Sequence, residues 1–313
     1  MAIIQPSELK YDNKKFCVIL YGSAGVGKTT LALSAPKPLL IDCDKGIARV
    51  KAMYRTPSIQ SKTYEEILKD IQSPEIKDFE TIVIDTGGSF VTYLQDWAMR
   101  SNPQNVQKNG GISQKGFGAV KSEFLRFSNY IMTTLNKHLI YIFHADEQKD
   151  KDGNPIQRLI CEGSSKNIVW QPCDFGGYVQ MIDNQRTIGF TPTQEHFGKC
   201  SYGIDGVYKI PSLDHGEPND FLTKLFEVAH KTLEEESKAE EPDKKQYEAV
   251  MRTTKDYLDH VTTVKELNTV KDAVANMKHA LTSKKECGAM LNNKAKELGC
   301  VLDKATKQYV QKA

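Results

Sequence analysis

The chain has 313 residues with Lys+Arg 42 against Asp+Glu 40, a formal net charge of +2, so any affinity for nucleic acid has to come from local patches. Seven scattered cysteines, with no CxxC pair and no histidine at ligand spacing, point to a reduced cytosolic protein without structural zinc. No apolar run reaches roughly 18 residues, and the start MAIIQPSELKYDNKK lacks a basic stretch followed by a long apolar one, so neither membrane spanning nor secretion is expected.

The apolar run FCVILY predicts a strand over 16–21, and KTTLALSA predicts a helix over 28–34. Between them stands Gly22-Ser23-Ala24-Gly25-Val26-Gly27-Lys28-Thr29, a complete GxxxxGK[ST] phosphate loop in its strand–loop–helix setting. Glycines at 22, 25 and 27 let the backbone aim N–H groups at phosphate oxygens, Lys28 reaches the β and γ phosphates, and Thr29 offers a hydroxyl to Mg²⁺. The implied ligands are ATP and Mg²⁺, held by Gly22 through Thr30.

A second strand is predicted at 38–43, ending in Ile41-Asp42-Cys43-Asp44-Lys45-Gly46. In a parallel sheet this carboxyl end lies beside the phosphate loop, which makes Asp44 the candidate general base and gives Asp42 a supporting role. After a helix at 63–72, TIVID predicts a strand at 81–85 whose terminal Asp85 is placed to hold Mg²⁺ together with Thr29. The next residue is Thr86, where oligomeric ATPases of the AAA+ type usually carry a water-activating Glu, and this argues against that type.

Further helices are predicted at 89–100 and 119–136, flanking a polar, Gly-rich loop from Ser101 to Gly118 that contains Lys108, Lys115 and Phe117. HLIYIFH predicts a strand at 138–144, and its last residue, His144, is a candidate γ-phosphate sensor. A second loop runs from Glu147 to about Pro172 with Lys149, Lys151, Arg158, Lys166 and Trp170; its DGNP also suits a turn between two strands. Lys and Arg can follow phosphates while a ring stacks on bases, so both loops are candidate contacts for single-stranded DNA. Strands at about 177–182 and 186–191 complete a doubly wound α/β core with an antiparallel extension.

Residues 233–245, LEEESKAEEPDKK, read as a charged linker or frayed helix end, separating a domain at 1–232 from a helical module at 246–313. Apolar residues at helical spacing predict three amphipathic helices in that module. Its twelve Lys+Arg against eight Asp+Glu permit weak DNA contact, and the expected role is to recruit single-stranded DNA or a partner such as a single-strand-binding or recombination protein.

Taken in order, GSAGVGKTT, LLIDCDKG, TIVIDTGGS and LIYIFHADE resemble the RecA-like P-loop ATPases, in particular the small phage-type AAA/RecA-like ATPases associated with single-strand annealing and recombination. The resemblance covers residues 16 to about 210. It implies a RecA-like core and a DNA-stimulated ATPase working as a homo-oligomer on single-stranded DNA in the cytoplasm, a host's if the chain is phage-encoded. It places Asp44 where that family carries its water-activating carboxylate, usually a Glu, so the shorter Asp implies slow hydrolysis. His144 falls at the place of the polar γ-phosphate sensor. Family members also complete the site from a neighbouring subunit with a Lys or Arg on a late strand pair, for which Arg186 and Lys199 are the candidates. The loops carrying Lys108, Lys115 and Phe117, and Lys149, Lys151 and Arg158, occupy the places where such proteins meet DNA.

Two other classes stand beside this reading. One is an ATP-driven switch that regulates a partner protein without DNA. Asn136-Lys137 precedes its strand and lacks the Asp of NKxD, which argues against a GTPase. The other is a small-molecule kinase, which would close an Arg-rich lid over the phosphates; the seven arginines at 49, 55, 100, 126, 158, 186 and 252 form no cluster in sequence.

Overall fold

A computed structural model describes residues 11, 13–149, 151–161, 168–303 and 305–311, without the side chains of 239–241. The chain divides into two compact units, one spanning Asp12–Thr232 and one containing Leu233–Ala313.

The first unit is built on nine strands: β1 (Cys17–Gly22), β2 (Pro38–Asp42), β3 (Ser58–Ile59), β4 (Thr81–Asp85), β5 (His138–Lys149), β6 (Pro155–Leu159), β7 (Phe175–Ile182), β8 (Gln185–Gly189) and β9 (Val207–Lys209). Their order is β3-β2-β4-β5-β1-β7-β8-β9, with β6 paired to β5. Pairing is parallel from β3 to β7 and antiparallel at β8 and β9. Every residue of β1 and β4 is buried, because helices cover both faces, and this is why these strands read as unbroken apolar runs.

Helices α1 (Lys28–Ala32), α2 (Tyr64–Asp70), α3 (Gly87–Ser101) and α4 (Gln114–Asn129) follow the early strands, and α4 ends in a π-helical turn, Tyr130–Thr134. The packing between α2, α3, α4 and β5 is aromatic: Tyr64, Phe90, Phe124, Phe127 and Tyr141 are fully buried, and ring centroids lie 4.8 Å apart for Phe90–Phe127 and 4.9 Å for Phe124–Tyr141. Each such side chain contributes about 1.5–3 kcal/mol through burial alone. This holds rigid the layer from which the β4 and β5 ends project.

Two segments depart from the sequence reading, and a third decides between its alternatives. The polar loop expected at 101–118 is shorter, because α4 begins at Gln114 and a 3₁₀ turn forms at Pro103–Asn105; Lys115 and Phe117 are therefore helical. Ser113 caps α4, its hydroxyl accepting the Gly116 N–H at 3.2 Å. The segment 147–172, read as a loop or as strands about a DGNP turn, begins with the latter: β5 runs on to Lys149 and pairs antiparallel with β6. Lys166 lies outside the described residues. Residues 233–245 belong to one helix, α5 (Phe221–Asp259), which continues through Pro242.

In the second unit, α6 (Val264–Ala275) and α7 (Ser283–Glu297) pack with the end of α5 around Val250, Leu258, Leu267, Val274, Cys287 and Leu291. Thr263 and Glu266 form a capping box at the start of α6. A hairpin of β10 (Cys300–Leu302) and β11 (Tyr309–Gln311), which the helical pattern did not predict, is tied down by Asn268, bonded to both the N–H and the carbonyl of Tyr309 at 2.8 Å. No helix among the described residues is long and apolar enough to cross a membrane.

Candidate nucleotide site

Strand order brings the site together. β5 lies between β1 and β4, and Gly22 pairs with His144 in register, so the phosphate loop, His144 and Asp85 emerge side by side at the carboxyl edge of the sheet. Asp42 pairs with Asp85 one strand further on, and the Cys43 N–H donates to the Asp85 carbonyl at 2.8 Å, so the Asp44 loop turns over the same edge.

Two glycines of the loop are needed for different reasons. A Cβ at Gly22 would lie 2.3 Å from the Val179 carbonyl oxygen of β7, closer than real contacts come. Gly27 has φ +89° and caps α1 in the left-handed region, where its missing side chain leaves room for the Arg186 guanidinium. The short helix α1 is anchored from the far end of the unit: Asn219 Nδ2 donates to the Thr30 carbonyl at 2.8 Å, and the Leu222 N–H donates to Ser34 Oγ at 2.9 Å.

Lys28 is 5% exposed, and its ammonium donates to the Gly22 and Ser23 carbonyls at 2.9 and 2.7 Å. Burial lowers its pKa, partly opposed by Asp85. Thr29 donates its hydroxyl hydrogen to Asp85 Oδ2 at 2.6 Å, and burial raises the Asp85 pKa, with Asp44 and Asp42 adding repulsion. This donor set fits Mg²⁺: a hydroxyl and a carboxylate already in contact, in a site where negative charge accumulates, leave most of the coordination shell to phosphate and water, as that ion prefers. Among the described residues no cluster of three or more His, Cys, Asp or Glu offers a fully protein-built metal site.

Gly25, Gly27, Lys28, Thr29, Thr30, Asp44, Arg49, Asp85 and His144 line one cavity of ≈170 Å³. Asp44, Thr86 and His144 also border a neighbouring cavity of ≈300 Å³ reaching Ser89 and Thr92, so the candidate base stands between the phosphate site and open space. Asp42 shapes the turn that follows β2, its carboxylate accepting the N–H groups of Gly46 and Ile47 at 2.7 and 3.0 Å. Thr86 is the N-cap of α3, its hydroxyl accepting the Ser89 N–H. His144 has its pKa lowered by burial and then by Lys28, which favours the neutral ring.

Residues expected outside the phosphate loop are distributed differently. Arg186, expected to reach across to a neighbouring subunit, lies in its own chain against Gly27, its Nε buried without a hydrogen-bond partner. Lys199 donates to the Cys173 carbonyl. Lys108 is exposed beyond α3, and Lys115 is bonded to Gln104. Lys149 and Lys151 are exposed at the hairpin tip, and the Arg158 guanidinium sits 4.4 Å over the ring of Phe197, a residue 47% exposed. Arg49 was passed over in the sequence, where an isolated arginine five residues after Asp44 carries no motif.

Residues 14–202 match the AAA domain family, well over half of the chain. The chain belongs to the AAA domain family. No curated protein sequence matches it significantly. Among solved structures it is similar to the flagellar accessory protein FlaH from Methanocaldococcus jannaschii, at 10% identity and a TM-score of 0.32, over 55% of this chain and 75% of that one. This AAA domain has the architecture of an α/β P-loop NTPase: a mostly parallel sheet between helices, with the phosphate loop after its central strand. Thr86, at the position where ATPases of the AAA+ type carry a Glu, serves as a helix cap.

Proposed function

We propose that the protein binds ATP with Mg²⁺ and hydrolyses it while acting on single-stranded DNA, in recombination, annealing or repair. The observation that carries the ATPase reading is the single cavity shared by Lys28, Thr29, Asp44, Asp85 and His144. Phosphate-loop amides and Lys28 hold the β and γ phosphates in line, and Thr29 and Asp85 would hold the metal, which when bound neutralises charge on the phosphate oxygens. Asp44 takes a proton from water as its oxygen bonds to the γ phosphorus and the bond to the β-γ bridging oxygen breaks, giving ADP and phosphate. His144, neutral in its half-buried setting, donates one N–H toward the γ-phosphate.

DNA enters through two observations. The segment 101–118 contains Lys108 and Lys115 and no acidic residue, which suits phosphate contacts. β5 leads from His144 directly into the hairpin, whose foot carries the Arg158–Phe197 pair, with Trp170 5.8 Å from the Phe197 ring. An exposed ring backed by a cation is a stacking platform for bases, worth about 1–3 kcal/mol per base. The hairpin lysines are offset by Asp146, Glu147, Asp150 and Asp152, so stacking rather than charge is the main contribution there. The second unit is proposed to recruit a protein partner or more of the strand.

Steady-state ATP turnover, measured with and without single-stranded DNA at several salt concentrations and across protein concentration, tests this. Turnover that rises with DNA, less so at high salt, supports the reading. Turnover indifferent to DNA, with no mobility shift at low salt, replaces it with an ATP-driven switch acting on a protein.

A further inference from the structure

The segment after β2 is held at both ends. The Asp42 carboxylate accepts the N–H groups of Gly46 and Ile47 at 2.7 and 3.0 Å, and the Arg49 N–H closes a 3₁₀ turn (Ile47–Arg49) on the Gly46 carbonyl at 2.9 Å. From the other side, Arg55 donates through Nε to the Val50 carbonyl at 2.9 Å and through Nη2 to the Ala48 carbonyl at 2.8 Å. Val50 is buried. The backbone around Arg49 is thus fixed by hydrogen bonds from one carboxylate and one guanidinium, bonds stronger than neutral ones.

Arg49 itself is used by none of this. Its side chain is exposed, like that of Arg55, but unlike Arg55 it has no hydrogen bond or ion pair among the described residues. It lines the cavity with Lys28, Asp44, Asp85 and His144. A Cβ on Gly46 would lie 3.6 Å from Arg49 Nη1, an ordinary contact, so the guanidinium folds back over the Asp44-Lys45-Gly46 turn. Its charge is felt at His144, whose protonation it opposes together with Lys28. Of the late-strand cations, Lys199 is committed to the Cys173 carbonyl, and Arg186 packs against Gly27.

We propose that Arg49 is the catalytic arginine of this site, supplied in cis, and that its guanidinium binds the γ-phosphate oxygens of the nucleoside triphosphate. This rests on the hydrolytic reading above. As the water oxygen bonds to the γ phosphorus and the bond to the bridging oxygen breaks, negative charge spreads over the equatorial γ oxygens and the leaving oxygen. An unpaired guanidinium carried on a fixed backbone stabilises that distribution, and its planar set of donors suits phosphate oxygens. In ADP the group it binds is gone, so Arg49 distinguishes the triphosphate from the diphosphate.

The test uses full-length parent, Arg49→Ala, Arg49→Lys and Lys28→Ala proteins, with thermal melts to confirm folding. Arg49→Ala is expected to bind ADP within about twofold of the parent, to lose about tenfold in preference for a non-hydrolysable ATP analogue over ADP, and to turn over about 100-fold more slowly. Arg49→Lys recovers part of the binding preference and little of the rate. Mixing Arg49→Ala with Lys28→Ala restores nothing if the arginine acts within its own chain. Parent-like turnover and preference in Arg49→Ala, or recovery on mixing, overturns the proposal while leaving the ATPase reading standing. A parent that neither binds nor hydrolyses ATP removes both, and the parent and Lys28→Ala alone report that outcome.

Discussion

Replacing Gly22 by Ala perturbs the point where the sheet becomes the phosphate loop. In parallel register with both His144 and Val179, Gly22 ends β1 with its Cα facing the β7 backbone, and the new methyl would meet the Val179 carbonyl oxygen at 2.3 Å. That oxygen is main chain, and β7 is in turn paired with β8, Val179 standing opposite Ile188, so the strands have to part by about 1 Å to reach a tolerable separation. Overpacking of this kind costs about 1–3 kcal/mol. For a domain of this size each kcal/mol lowers Tm by roughly 2–4 °C, so a fall of roughly 2–12 °C is expected. The same shift moves the amides of the loop, and a misplacement of about 1 Å costs on the order of 100-fold in rate. Differential scanning fluorimetry with and without ATP, together with phosphate release, measures both effects. A Gly22→Ala protein melting within a degree of the parent and turning over normally would refute the reasoning.

Other outcomes follow from single groups. His138 is 3% exposed, stacks on Phe226 with centroids 4.5 Å apart, and accepts the Phe16 N–H on Nδ1 at 3.0 Å; burial, then the charges of Lys15, His230 and Lys14, lower its pKa to about 3. Because the folded value lies below the ordinary one near 6.5, the neutral ring's contribution is complete above that pH and declines as pH falls toward 3, by up to about 1.4 kcal/mol per pH unit. Urea melts of the parent and His138→Gln between pH 7.5 and 4.5 should therefore differ in slope, and parallel curves would contradict this. Asp44→Asn should bind ATP as the parent does and hydrolyse it at least about 100-fold more slowly; unchanged turnover in a rapid-quench assay would place the base elsewhere. Thr29→Ala removes the Asp85 partner and a metal-side hydroxyl, so its turnover should require about tenfold more Mg²⁺, and an unshifted Mg²⁺ titration would count against the assignment.

Much of the first unit was legible because its signals are local. Unbroken apolar runs marked the buried parallel strands, glycines and Lys28 marked the loop between β1 and α1, and the carboxylates at the ends of β2 and β4 followed from where parallel strands stop. What escaped depends on long-range pairing or on competing local signals. The start of α4 was hidden because Gly116 and Gly118 depress helix propensity, while Ser113, the cap that overrides them, looks like any loop serine. The hairpin continuing β5 was legible only in its DGNP turn, because its strands carry charges, and pairing with β6 is what makes it one. The acidic stretch at 233–245 reads as a linker because it lacks apolar residues, yet it is rich in helix formers and supports a pair such as Glu234–Lys238 at 3.6 Å. Arg49 escaped because its place in the site depends on Asp42 and Arg55 folding the segment around it, and neither contact is visible as a spacing.

The central claim, that this cavity is a Mg²⁺-dependent ATP hydrolysis site built around Lys28, is tested most directly by phosphate release from ATP by the parent and Lys28→Ala proteins, each with Mg²⁺ and with EDTA. The account predicts turnover by the parent with Mg²⁺ and a loss of at least about 100-fold both on chelation and in Lys28→Ala. Equal turnover by the two proteins would contradict it.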